Sequence, residues 1–222
     1  MNSVRYQAAA AQLQDGKILV TGGRDASGDS LNSAEMLTEE GWKSNIPSLP
    51  VNIYAHCMVT VNSTTVMAIG GWQNYHDSGK TFYFTFGEES WTEGPELKNS
   101  RGYHSCGRIR RNKLSQQMSI IVAGGWLGSE ISSVEILDEG SNEWQTGPEL
   151  PFGITESQMF EDQNGGVVLI GGSSSSVDFL DTLYQLPRGG QDAAWTKMEQ
   201  KMKIGRTYHT ALLVPDNFVD CS

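Results

Sequence analysis

Glycine pairs end four apolar runs in this chain: "KILVTGG" (17–23), "TVMAIGG" (65–71), "SIIVAGG" (119–125) and "VVLIGG" (167–172). Their first members, Gly22, Gly70, Gly124 and Gly171, are 48, 54 and 47 residues apart, and Gly23, Gly71, Gly125 and Gly172 complete the pairs. A tryptophan follows each first glycine, Trp42, Trp91, Trp144 and Trp195, at 20, 21, 20 and 24 residues. After three of them comes Pro-x-Leu, in "IPSLP", "GPEL" and "GPEL", while the fourth unit has "MEQKMKIGR". Two independent markers keep one phase four times, so the chain is a tandem array, and the period takes precedence over any single motif.

Each unit reads as four strands. The first has mixed polarity, as in "YQAAAAQL" and "YAHCMVTV", and the second is the apolar run before Gly-Gly. A short continuous apolar run bounded by turn residues predicts a strand covered on both faces. The third alternates ("SAEML", "TFYFTF", "SVEIL", "DFLDTLYQL"), and the short fourth carries the Trp. Gly, Asn, Asp and Ser separate them, as hairpins require. No stretch holds a 3.6-residue period over ten residues. No helix follows a Gly-Gly pair, which argues against nucleotide binding there.

Composition narrows the classes. With 222 residues and a formal charge of −10, the balance disfavours broad contact with a nucleic-acid backbone. The one dense basic cluster, "RIRR" at 108–111, reads as a solvated turn. No apolar run approaches the ~20 residues of a membrane helix, so no membrane span is expected. The first residues lack the order of a signal peptide. Cys57, Cys106 and Cys221 are an odd number, which implies a free thiol or an outside partner. "NST" at 62–64 makes Asn62 a candidate glycosylation site, although such triplets are common by chance.

Units of ~50 residues match the period of kelch propellers rather than the ~40–45 of WD40 repeats. The motif itself resembles the kelch pattern: in "IIVAGGWLGSEISSVEILDEGSNEW" an apolar strand, Gly-Gly, a variable loop, an alternating strand and a Trp follow in order, with Leu137 where that family usually has Tyr. "LNSAEML…GW" is a good second match, and "GKTFYFTFGEESW" and "VDFLDTLYQL…AAW" are looser. The resemblance covers nearly the whole chain. It implies an all-β, kelch-type β-propeller domain over 1–222, with blades near 5–50, 51–99, 100–150 and 151–204 and an extra first strand and tail over 205–222. "RTYHTALL" (206–213) aligns with "RGYHSCGR" (101–108), so a surplus C-terminal first strand is expected. Two readings stay open: a four-blade ring with an extra strand, or a piece of a larger ring of about six blades, since propellers run from ~4 to 8.

In an up-down-up-down blade, the loops between second and third strands emerge on one face with the fourth-to-first connections. They are "RDASGDSLN" (24–32), "WQNYHDSGK" (72–80), "WLGSEI" (126–131) and "SSSSVD" (173–178), polar and unlike one another. Variable loops on a repeated scaffold are where recognition sits. Candidate binding residues are Arg24, Trp72, Tyr75 and Trp126 from these loops, with Arg101 and Arg206 beside the channel. Trp72 and Trp126 read either as aromatic anchors or as residues packing on their own blade. Arg101, Arg206, Tyr103 and Tyr208 read either as contacts to an acidic or aromatic ligand or as repeated structural positions. Asn62 and "RIRRNK" fall on the opposite face.

His56, His104 and His209 also recur at matching positions. Kelch folds resemble the propeller of galactose oxidase, whose copper site uses Tyr and His, but repeat symmetry sends these histidines to different blades, so no metal or other cofactor is expected. Cys57 and Cys106 fall on the first strands of neighbouring blades, where either a disulfide or two buried thiols would fit.

The leading expectation is a non-enzymatic module that presents variable loops on one face to a protein or glycan. A second is an intracellular substrate-recognition module like the kelch adaptors of cullin ubiquitin ligases. A third, weaker one is a copper oxidase. "NST" and the terminal Cys favour an extracellular setting, and the cytoplasm is the alternative.

Overall fold

The computed structural model describes residues 1–13, 15–111, 117–189 and 193–211. Every regular element among them is a strand. The first sheet is β1 (Ala9–Gln12), β2 (Ile18–Thr21), β3 (Ala34–Thr38) and β4 (Gly41–Ile46), paired in chain order. The second contains β5 (Cys57–Thr60), β6 (Thr65–Ile69), β9 (Thr81–Thr85) and β10 (Thr92–Glu93), interrupted by a separate hairpin of β7 (Trp72–Gln73) and β8 (His76–Asp77). The third is β11 (Ser105–Ile109), β12 (Ser119–Ala123), β13 (Val134–Leu137) and β14 (Gln145–Thr146). The fourth is β15 (Gln158–Glu161), β16 (Val167–Ile170), β17 (Thr182–Leu186) and β18 (Thr196–Lys201). All pairings are antiparallel.

The four sheets are propeller blades. First strands lie side by side, β1 on β5, β5 on β11 and β11 on β15, and the fourth blade does not return to the first in comparable contact. The sheets therefore form an open arc. The continuous apolar character of the second strands has a direct cause here. Side chains alternate between the two faces of a strand, and in β6 Val66 and Ala68 join the cluster with the first blade while Met67 and Ile69 join the cluster with the third. In β12, Ile120 and Val122 face back and Ile121 and Ala123 face forward. A blade between two others has no solvent face, so neither parity can be polar.

The Gly-Gly pair is the socket for the next blade. The N–H of Gly23, Gly71, Gly125 and Gly172 donates to the carbonyl of Ile53, Arg101, Ile154 and Arg206, respectively, at 2.7–2.9 Å. That carbonyl sits 2.2–2.7 Å from where a Cβ on the preceding glycine would lie, closer than any real Cβ contact. Both glycines of each pair also have positive φ, between 58° and 101°. Glycine is required for both reasons.

The tryptophans make the second clasp. Indole Nε1 of Trp91, Trp144 and Trp195 donates to the carbonyl of Pro47, Pro95 and Pro148 in the preceding blade, at 2.9, 2.8 and 2.9 Å. The leucines of the same Pro-x-Leu segments, Leu49, Leu97 and Leu150, are buried. Trp42, whose blade has none before it in the array, is half-buried.

Arg101 is a correction to the binding set. Its side chain is 0% exposed and pairs with Glu135 at 2.8 Å. Its guanidinium also donates to the carbonyls of Gly124 and Ser133 and to Ser133 Oγ. Arg5 repeats the arrangement with Glu35, Gly22 and Ser33. The terminal guanidinium nitrogens of both arginines bond inside their own blades. At the matching places the second and fourth blades have Ile53 with Phe82 and Ile154 with Tyr184, all buried.

The C-terminal unit differs from expectation. Arg206 accepts from Gly172 as the head of a following blade would, yet no strand forms over 206–211, and residues 212–222 lie outside the described residues. Cys221 is among them.

Candidate functional site

The chain enters each first strand, and the segment after the fourth blade, through one residue with a left-handed backbone. These are Gln7, Ala55, Tyr103, Glu156 and Tyr208, with φ of 54°, 53°, 55°, 59° and 49°. For non-glycine residues this costs ~1 kcal/mol or more and needs compensation. The compensation is a relay around the axis. Ala55 N–H donates to Gln7 O, Tyr103 N–H to Ala55 O, and Glu156 N–H to Tyr103 O, each at 2.9 Å. The side chains at these positions converge. Gln7 Nε2 donates to the Tyr103 hydroxyl at 3.2 Å across two blades. The Tyr103 and Tyr208 rings meet edge to face at 6.1 Å.

An aromatic arc continues this cluster onto the loop face. The Trp72 ring lies between Tyr54, with centroids 6.1 Å apart, and Tyr103, at 6.5 Å. It rests on Gly102, where an added Cβ would fall 2.2 Å from its ring. Trp72 is thus a wedge between the second and third blades as well as a wall of the mouth. The Arg24 guanidinium sits over Tyr54 at 4.7 Å and over Tyr6 at 5.9 Å, and its Nε donates to Gly28 O. Such stacking stabilises by ~0.5–1 kcal/mol at an exposed site.

The loops around this mouth are ordered by their own pairing. Each turns back on itself through a short bridge, Arg24 with Ser30, Trp72 with Asp77, Trp126 with Glu130 and Ser174 with Val177. Each also pairs with its own first strand, as Tyr54 does with Trp72 and Gly102 with Trp126. Asn74 and Tyr75 both have positive φ, the signature of a two-residue hairpin turn. Tyr75 stands at that tip, 80% exposed. Leu127 and Val177 are exposed in the neighbouring loops. Trp126 is half-buried and Arg206 exposed.

The remaining candidates lie elsewhere. Asn62 is exposed in the β5–β6 turn, where its Oδ1 accepts from the N–H groups of Thr64 and Thr65. Arg108 pairs with Glu161 and Arg111 with Asp138, so the basic run braces the third and fourth blades. Asn112 and Lys113 lie outside the described residues. Cys57 and Cys106 form a disulfide that staples β5 to β11.

The histidines occupy separate seams between blades. His56 packs on Gly22, His104 on Gly70 and His209 on Gly171. His56 Nε2 is hydrogen-bonded to Thr21 Oγ1 at 2.9 Å. Burial pushes the His56 imidazole down to about 4. It pushes His104 well below the usual range, with Arg101 adding to the effect.

Sequence reading reached Tyr103 and Tyr208 but not Gln7, Tyr54 or Glu156. The signal was present in the five aligned entries "RYQ", "IYA", "RGY", "ITE" and "RTY", whose third residue varies freely while its backbone does not.

Comparison with known proteins agrees with this architecture. The kelch motif model matches residues 119–151, the third blade from β12 to the end of its Pro-x-Leu. An F-box/kelch-repeat protein of Arabidopsis thaliana is 24% identical over 114 residues, which cover 50% of this chain and 26% of that protein. The matched stretch is thus about a quarter of that relative's length. The solved structure of YjhT superposes with a TM-score of 0.72 at 15% identity, over 92% of this chain and 73% of the other. At that identity the likeness speaks for the fold alone. With the repeated Gly-Gly sockets and tryptophan clasps, these matches support a kelch-repeat relationship, and the fold is an arc of kelch-type propeller blades.

Proposed function

We propose that this chain is a non-enzymatic binding module whose second-to-third-strand loops engage a protein or glycan partner. One observation carries the reading: the loop face gathers an aromatic mouth running from Arg24 through Tyr54, Trp72 and Tyr103 to Tyr208, rimmed by the exposed Tyr75. Aromatic groups gathered at the axial end of the blades with ordered loops around them suit recognition. Loops already paired to the blades lose little freedom on binding, which favours affinity.

The seams between blades hold the histidines apart, which gives the copper-oxidase reading no assembled site to rest on. Two settings are each supported by one observation. The interblade disulfide favours an oxidising compartment. The likeness to an F-box/kelch-repeat protein favours an intracellular adaptor that presents substrates to a ubiquitin ligase.

The test is binding by face. A Tyr75→Ala, Leu127→Ser, Val177→Ser variant is compared with Phe86→Ser, whose ring lies under Lys17 at the opposite end of the blades. Partners are identified by cross-linking and by a glycan array. The loop variant should lose at least tenfold in affinity and the Phe86 variant nothing. Equal loss from both, or loss from Phe86→Ser alone, would move the site to the other face.

A further inference from the structure

The axial end of the arc is more specific than a hydrophobic patch. The Tyr103 and Tyr208 rings meet at 80° and form two walls of a corner. Glu156 belongs to the blade between them: its N–H donates to the Tyr103 carbonyl at 2.9 Å, and after burial its carboxylate is the next cause that holds the Tyr208 hydroxyl above its ordinary range. On the amide whose Nε2 bonds the Tyr103 hydroxyl, Gln7 Oε1 is buried without a hydrogen-bond partner. Two ring faces, a carboxylate and an unspent carbonyl oxygen all attract positive charge.

We infer that this corner is a cage for a cationic side chain, a lysine or arginine projecting from the partner protein. The inference rests on the binding face proposed above and narrows its partner to a basic protein segment. Charge complementarity supports that occupant. The chain carries a formal −10, which draws cations towards it. The same arc already holds one cation on tyrosine faces, Arg24 over Tyr54 and Tyr6. Stacking and the bond to Gly28 O hold Arg24 over Tyr54. Tyr208 is 62% exposed, so the corner is open to an incoming side chain.

The test uses the full chain and small probes. The indole N–H resonance of Trp72 is followed by NMR during titration with N-acetyl-lysine amide, N-acetyl-glutamate amide and a methyl glycoside. The lysine probe should give a saturable shift, and the other two none at the same concentration. Glu156→Gln should weaken the lysine probe about tenfold while leaving the melting temperature unchanged. Tyr208→Phe, which keeps the ring, should retain most of the binding, and Tyr208→Ala should lose it. No saturable shift, no effect of Glu156→Gln, or equal binding of either control probe would overturn the cage. A failed cage with a working Tyr75 effect would leave the binding face standing without it. A working cage with no Tyr75 effect would do the reverse.

Discussion

The indole of Trp144 donates to the carbonyl of Pro95 in the preceding blade at 2.8 Å, and its side chain is fully buried. This clasp occurs at three successive seams. Trp144→Phe leaves the Pro95 carbonyl without its donor inside the seam. An orphaned buried group costs ~1–3 kcal/mol, and the smaller ring adds a cavity. A loss of ~2–4 kcal/mol is expected in urea unfolding. Trp42→Phe, in a half-buried position, should cost well under half of that.

The buried Arg101–Glu135 pair predicts a marked non-additivity. Arg101→Met alone leaves the buried Glu135 carboxylate without its counter-charge, held only by the N–H groups of Lys98 and Asn99, and should cost ~3–5 kcal/mol. Arg101→Met combined with Glu135→Leu should recover most of the loss. The molecule itself supports this, because the second and fourth blades fill the same places with Ile53 and Phe82 and with Ile154 and Tyr184. A double-mutant cycle by denaturant melts measures the coupling directly.

The sequence made the blades legible because their markers are constrained from both sides. A glycine facing the next blade's carbonyl at 2.2–2.7 Å cannot change, and neither can a second strand buried on both faces. The axial site was only partly legible. Gln7, Tyr54 and Glu156 share a backbone position or a stack, not a residue type, and type is what pattern reading sees. For Arg101 the two readings, ligand contact and repeated structural position, could not be separated by pattern, because its partners Ser133 and Glu135 lie some thirty residues on. The short hairpin of β7 and β8 was read as a loop because nothing in "WQNYHD" alternates over enough residues.

The disulfide closes a loop of 49 residues between neighbouring blades. Chain entropy assigns such a loop about 4 kcal/mol. Cys57→Ser with Cys106→Ser, or reduction of the native chain, should lower the urea midpoint accordingly. Mass spectrometry with and without reductant, after alkylation, reports the bond itself. Labelling of both residues without reductant would show that it does not form.

Acid should weaken the fold in two windows. Unfolded histidine takes a proton near pH ~6.5, whereas native His56 stays neutral until about 4 and burial holds His104 well below the ordinary range too. Between those limits the unfolded state binds more protons, so stability falls as pH drops, by ~1.4 kcal/mol per unit for each such histidine. Glu35 acts below that. Burial works to raise its carboxyl, but the N–H of Asn2 and the Arg5 guanidinium outweigh it and hold it below the ordinary 4.5. Its contribution is present above the unfolded value and is lost as pH falls through the lowered one. His56→Gln should roughly halve the slope in the upper window, His104 supplying the rest, and leave the lower one intact, measured as urea midpoints from pH 7 to 3.

The most direct measurement is hydroxyl-radical footprinting of the chain with and without its partner. Protection confined to 24–32, 72–80, 126–131 and 173–178, together with Tyr208, is the predicted result. Protection centred instead on the turns at 61–65, 86–90 and 138–143, at the other end of the blades, would contradict the account.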